Sequence, residues 1–183
     1  EYTMANQCFD QKQESLEPEQ EPSDKNELFH WILTLAIAVI IALCVNRFVL
    51  VNAEIPSGSM ENTIMTGDRV IGSRLSYKFG DPKRGDIVIF HFPDDPTGTI
   101  YYVKRIIGLP GETVQIKGGY IFIDGELLNA EDGLEQVSLA GRADTPIKLE
   151  DNEYFLLGDN RDSSEDSRFP NIGNVKREQI QGK

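Results

Sequence analysis

The sequence predicts a mostly β fold: a barrel-like, antiparallel β body preceded by one N-terminal transmembrane helix. Three observations carry that prediction. The run from Trp31 to Val45 is apolar on every face. From residue 54 onward the chain breaks into short β-rich runs punctuated by Gly, Pro and Asp. No stretch of that body keeps the 3.6-residue apolar period of a helix packed on a core.

The chain opens on an acidic segment. Residues 1–27 are rich in Glu, Gln, Pro and Ser and nearly free of branched apolar side chains, so they are expected to form a disordered tail. Half of the formal net charge of -12 falls in residues 1–30, where Lys12 and Lys25 face eight acidic side chains. That balance argues against a nucleic-acid partner, since phosphate binding needs an excess of Lys and Arg. Cys8 and Cys44 lie outside the β body, so no disulfide framework is expected.

The fifteen apolar residues alone span roughly 22 Å as a helix, short of a ~30 Å hydrocarbon core. Extension from Phe29 to Val51 reaches roughly 35 Å, with Arg47 snorkelling to the interface and Trp31 and Phe48 near the headgroups. The predicted divisions are therefore a tail over 1–27, a transmembrane helix over 28–51 and a β-rich domain over 52–183. A buried core helix would need a polar face, which this run lacks. Val51-Asn52-Ala53 resembles a signal cleavage site, but the flank before the apolar run is acidic where a signal peptide is basic. An uncleaved anchor is expected. Charge alone does not orient it, because Lys25 competes with Arg47 and Arg69.

The strands follow in order. Asp86 to Phe92 alternates, with Ile87, Ile89 and His91 on one face and Val88, Phe90 and Phe92 on the other. Ile100 to Ile107 is a second run. Thr113 to Lys117 and Tyr120 to Ile123 flank Gly118-Gly119, the signature of a two-residue hairpin. Asp124-Gly125 turns the chain again before Glu126-Leu127-Leu128. Glu153 to Leu157 makes a further strand that ends at Gly158.

Three segments carry candidate chemistry. Pro56-Ser57-Gly58-Ser59-Met60 places a serine on a glycine-flanked loop, with Met60 as an adaptable apolar wall. A serine hydroxyl is a weak nucleophile until a base takes its proton. Lys104 is the candidate base, since Tyr102 and Ile106 share its face of the strand and Arg105 points the other way. Burial that brings a lysine from ~10.4 to ~8 costs the charged form roughly 3 kcal/mol. The third segment, Gly158 to Arg168, alternates Asp and Arg so that internal ion pairs can pin it, and a hydroxyl from it can orient the amine. His30 and His91 stand alone, so neither metal binding nor a serine–histidine pair is expected, and no cofactor is implied.

Together these segments resemble the type I signal peptidases, the bacterial leader peptidases that cut with a serine–lysine dyad. The matching pieces are Pro56 to Met60, Gly67-Asp68-Arg69-Val70, Arg84-Gly85-Asp86-Ile87-Val88, Tyr102-Val103-Lys104-Arg105 with Gly108-Leu109-Pro110-Gly111, and Gly158 to Arg168. They occur in the family's order over most of residues 48–183. The resemblance implies Ser59 as nucleophile and Lys104 as general base. It implies an oxyanion hole from the Ser59 N–H and the Ser57 hydroxyl, with Ser164 and Met60 supporting the dyad. Arg105, Asp159, Asp166 and Arg168 match positions that hold the site together.

The implied substrates are signal peptides of exported preproteins, with small residues of the Ala-x-Ala kind before the cut. The implied setting is the bilayer of a bacterial cell membrane, crossed once, with the catalytic domain on the extracytoplasmic face. The short stretch between Lys104 and Gly158 resembles compact Gram-positive members. At Gly182-Lys183 the chain is expected to stop where relatives continue into a final core strand. Two other readings fit parts of the pattern. One is a self-cleaving repressor-type protease with the same dyad, which would need a DNA-binding module in place of the tail and span. The other is a non-catalytic β-barrel binding module on a membrane stalk.

Overall fold

The computed structural model describes residues 24–93, 95–97, 100–128 and 136–183. The tail expected over 1–27 lies outside the described residues as far as residue 23. By its internal contacts the chain forms two units, residues 1–40 and 41–183.

Helix α1 runs from Asp24 to Phe48 and has no distinct apolar face. Its portion Asn26–Phe48 is long and apolar enough to cross a membrane. At 1.5 Å per residue that portion measures roughly 35 Å. The predicted boundaries shift at both ends. The helix begins four residues early, on polar Asp24, and it stops at Phe48, short of Val51. Leu50 and Val51 leave the helix because they find strand partners, Ser73 and Gly72. Val51 is there 2% exposed, packed in the body's core.

Eleven strands follow among the described residues: β1 (Leu50–Glu54), β2 (Arg69–Ser73), β3 (Ile87–His91), β4 (Tyr101–Gly108), β5 (Thr113–Lys117), β6 (Tyr120–Ile123), β7 (Glu126–Leu127), β8 (Ile147–Lys148), β9 (Glu153–Leu157), β10 (Val175–Lys176) and β11 (Ile180–Gly182). They form three antiparallel sheets. β1 pairs with β2; a five-stranded sheet runs β10-β9-β4-β3-β11; a four-stranded sheet runs β7-β6-β5-β8.

The mostly β, antiparallel prediction holds, but no closed barrel forms among the described residues. Closure needs every strand paired on both sides. Here β10 and β11 end the central sheet, and β7 and β8 end the outer one. The pairing of β4 with β9 also shifts between Ile106 and Gly108. Such an irregularity bends a strand, and at Gly111 a positive φ of 79° turns the chain into the outer sheet.

The alternation read from the sequence sorts the cores. Val88, Phe90 and Ile106 pack with Tyr154, Leu156, Ile172, Val175 and Ile180 on one face. Ile89 and Val103, on the other face, pack against Val51, Ala53, Ile55 and Met60. The predicted hairpin is present: Lys117 pairs with Tyr120 across Gly118 and Gly119, both at positive φ, as a two-residue turn between twisted strands requires. His91 stacks against Tyr101 at 4.7 Å between ring centres. At β11, Ile180 pairs with Phe90, and Lys183 Nζ lies 2.6 Å from Asp86 Oδ1.

Candidate active site

β1 delivers the chain to Ile55-Pro56-Ser57, and a short 3-10 turn, Gly58–Met60, follows. That turn buries Ser59 and Met60. β4 supplies Lys104, opposite Val88 of β3, on the face also occupied by Tyr102 and Ile106 as the alternation predicts. Lys104 is 3% exposed, and its Nζ donates to Ser59 Oγ at 2.6 Å. The Tyr102 ring centre lies 5.3 Å from that nitrogen. Among the described residues no carboxylate forms an ion pair with Lys104. Burial therefore dominates and pushes the amine down to about 8, although the charges of Asp166 and Glu165 pull the other way.

Ser57 Oγ lies 3.4 Å from Ser59 Oγ, on the same side of the turn. A cavity of about 290 Å³ opens on Ser59 and Lys104, walled by Ile55, Pro56, Met60 and Val103.

The Gly158–Arg168 segment is held from within and from outside. Arg105 donates to both oxygens of Asp159, at 2.8 and 2.6 Å, and to the Gly85 carbonyl at 2.8 Å. Thr63 adds a 2.6 Å bond to the same carboxylate. Burial alone would raise the Asp159 carboxyl, but the Arg105 and Thr63 hydrogen bonds outweigh it and hold it below its ordinary value. Arg168 meets Asp166 through Nε at 2.8 Å and Nη2 at 2.9 Å. It also donates to the carbonyls of Arg161, Ser164 and Leu139. Asp166 in turn accepts the Gly158 N–H at 3.1 Å. The four residues predicted to hold the site thus form two bidentate pairs, the strong geometry for Arg and carboxylate.

Ser164 lies near the Ser59 backbone, and its carbonyl accepts from Arg168. Its Oγ is buried without a hydrogen-bond partner among the described residues, so the support to Lys104 implied by resemblance is not formed as a direct bond. It nests against Gly158: a Cβ there would lie 2.1 Å from Ser164 Oγ and 2.5 Å from the Ser59 carbonyl oxygen.

Sequence reasoning singled out the Gly158–Arg168 segment but gave Gly158, Asn160 and Arg161 no individual role, and it missed Thr63. Asn160 Nδ2 donates to the Gly58 carbonyl at 3.0 Å, and its backbone N–H donates to the Ser59 carbonyl at 3.1 Å. The Asp159-Asn160 pair directly after Gly158 was the available signal, since Asn commonly bonds nearby backbone. Arg161 is 1% exposed, and its guanidinium nitrogens have no hydrogen-bond partner among the described residues. Burial lowers it to about 10. Among the described residues no group of His, Cys, Asp and Glu is arranged to hold a metal ion. What the pair offers is a buried amine, eased toward its neutral form by desolvation, touching an alcohol beside an apolar cleft, the requirement for acyl transfer by a serine.

Residues 28–183 match the family described as signal peptidase, peptidase S26. Signal peptidase I of Leptolyngbya laminosa is 37% identical over 171 residues, covering 89% of this chain and 80% of that protein. Signal peptidase I of Bacillus licheniformis is 33% identical over 171 residues, covering 90% of both. Signal peptidase I S of Bacillus subtilis is 33% identical, covering 87% and 88%. A solved signal peptidase I from Enterococcus faecalis is similar to this chain at 30% identity and a TM-score of 0.46, over 56% of this chain and 96% of that one. The chain belongs to the signal peptidase family, peptidase S26, and is a serine endopeptidase of that family.

Proposed function

We propose that this chain removes N-terminal signal peptides from exported preproteins, with Ser59 as nucleophile and Lys104 as general base. The observation that carries the reading is the 2.6 Å contact between the buried amine and the hydroxyl. Neutral Lys104 takes the Ser59 proton as the oxygen attacks the scissile carbonyl. The Ser59 N–H and the Ser57 hydroxyl bind the oxyanion. Protonated Lys104 then gives its proton to the leaving amine, and an acyl-serine remains. Lys104 next activates water, which releases the signal peptide and restores the enzyme.

Met60 keeps the amine dry, and the unpaired Ser164 hydroxyl is the group available to steady it. Arg105, Asp159, Asp166 and Arg168 fix the loop behind it. Ile55, Pro56, Met60 and Val103 favour small side chains before the cut, of the Ala-x-Ala kind. Residues 24–48 anchor the enzyme in a bacterial cell membrane as a single span, and the body from residue 50 works on the extracytoplasmic face. There a substrate still held by its apolar segment comes within reach.

The test is turnover of a peptide carrying an Ala-x-Ala site by the full chain in detergent. Ser59→Ala and Lys104→Ala each abolish turnover while circular dichroism stays unchanged. Normal rates for Lys104→Ala at neutral pH contradict the mechanism.

A further inference from the structure

A second cavity, of about 290 Å³, lies at the junction of α1 with the β body, lined by Arg47, Phe48, Arg74, Tyr77, Lys78 and Arg177 together with Ile180 and Gln181. We propose that it binds the phosphate of an anionic lipid headgroup. The inference rests on the reading of α1 as a membrane anchor.

The first argument is charge. The lining brings together four cationic side chains and no carboxylate, in a chain whose formal net charge is -12. Among the described residues none of Arg47, Arg74, Lys78 and Arg177 forms an ion pair. The nearby Asp86 carboxylate is already engaged, by Lys183 Nζ at 2.6 Å and by the Tyr77 hydroxyl at 2.9 Å. Like charges converging on one cavity repel, and an anion between them reverses the sign. Three of the four are arginines, whose planar forks match phosphate oxygens in pairs.

The second argument is built structure. Arg74 Nε donates to the Leu50 carbonyl at 2.9 Å and its Nη1 to Gln181 Oε1 at 3.0 Å. Its backbone N–H donates to the Val49 carbonyl at 2.8 Å. Arg177 donates to the Tyr77 carbonyl and sits over the Tyr77 ring at 5.5 Å. Two guanidiniums are therefore held in place before any ligand arrives, which lowers the ordering cost of binding.

The third argument selects a lipid over free phosphate. Arg47 and Phe48 are the last two residues of α1, and Val49 alone separates them from β1. If residues 26–48 cross the hydrocarbon, the cavity opens at headgroup depth. Phe48 and Phe79, neighbours of Arg47 and Lys78, are 58% and 88% exposed. Cations interleaved with bare aromatics are what an interfacial segment carries. Phosphates line both faces of a bilayer, so the inference holds for either orientation of the helix. Basic pockets beside a span are known to take anionic headgroups.

The experiment reconstitutes the full chain in vesicles of phosphatidylcholine mixed with phosphatidylglycerol. Native mass spectrometry then measures the lipid retained after extraction into neutral detergent. Wild type retains phosphatidylglycerol in excess over its share of the vesicle. Lys78→Gln and Arg47→Gln each reduce that excess roughly fivefold, and Arg177→Gln does likewise, while turnover of a soluble Ala-x-Ala peptide is unchanged. Equal retention of both lipids by wild type, or an excess that survives all three substitutions, overturns the proposal. Displacement of the bound lipid by millimolar inorganic phosphate assigns the cavity to free anions and overturns it too. An alkaline carbonate wash separates the two readings. A chain washed off the vesicles sinks the anchor and the lipid site together, whereas an embedded chain without lipid preference sinks the lipid site alone.

Discussion

Asn160 holds Gly58: its side-chain amide donates to the Gly58 carbonyl at 3.0 Å, 102 residues away in sequence. The adjoining Ser59 carbonyl accepts the Asn160 N–H at 3.1 Å. The Gly58–Met60 turn is thus hung from the same loop that carries Ser164, Asp159 and the Asp166–Arg168 pair. In the proposed mechanism Asn160 acts only through the backbone it positions.

Asn160→Ala leaves the Gly58 carbonyl without its side-chain donor, at a cost of about 1 kcal/mol of stability. The expected result is a fall in kcat of roughly tenfold or more with KM little changed, because small displacements of a nucleophile are costly. Steady-state kinetics on an Ala-x-Ala peptide check this, and a rise in KM alone would assign Asn160 to substrate binding instead.

Lys104 is a stability cost at neutral pH. Its folded value of about 8 lies below the ordinary lysine value of 10.5, so the unfolded chain binds the extra proton between those limits. Stability from this group therefore rises as pH climbs from about 8 to about 10.5 and is lowest below 8. Lys104→Met removes the buried charge and is expected to stabilise the inactive protein by up to about 3 kcal/mol at pH 6. The gain shrinks as pH passes 8. Denaturant midpoints at pH 6 and pH 10 measure the difference.

Asp159 has the opposite sign. Its carboxyl is held below the ordinary value, so its contribution is fully present above the unfolded carboxylate value. It is lost as pH falls through the folded one, in the region below about pH 4. Asp159→Ala strands Arg105 and is expected to cost about 3 kcal/mol at neutral pH. Acid unfolding of the wild type and the variant should converge at low pH, since protonation removes what the substitution removes.

Gly158→Ala places a methyl group 2.1 Å from Ser164 Oγ and 2.5 Å from the Ser59 carbonyl oxygen. Overpacking at a rigid loop costs about 1–3 kcal/mol, and here the displaced groups flank the dyad. Loss of turnover with a smaller loss of thermal stability is expected. Thermal melts and peptide assays on one preparation separate the two effects.

Local signals carried much of the fold. Gly118-Gly119 demanded the hairpin, and the alternation from Ile87 to His91 assigned Val88 and Phe90 to one core and Ile89 to another. What the sequence concealed was long-range. Leu50 and Val51 are as apolar as the helix before them, and only their partners Ser73 and Gly72 take them into a strand. Barrel closure failed because closure is a property of strand edges, which no local pattern encodes. At the site, the apolar neighbours of Lys104 were readable from strand alternation. Its meeting with Ser59 was not, because a separation of 45 residues leaves no spacing signal; chemistry named the two as candidates and resemblance joined them. Asn160 was hidden for the same reason.

The most direct test is titration of Lys104 itself. The amine can be followed by NMR in the full chain labelled at the lysine Nζ, with Lys104→Met identifying the signal. The account predicts a midpoint near 8, coincident with the rising limb of kcat/KM against pH. A midpoint near the ordinary lysine value, in an enzyme that turns over at pH 7, would contradict it.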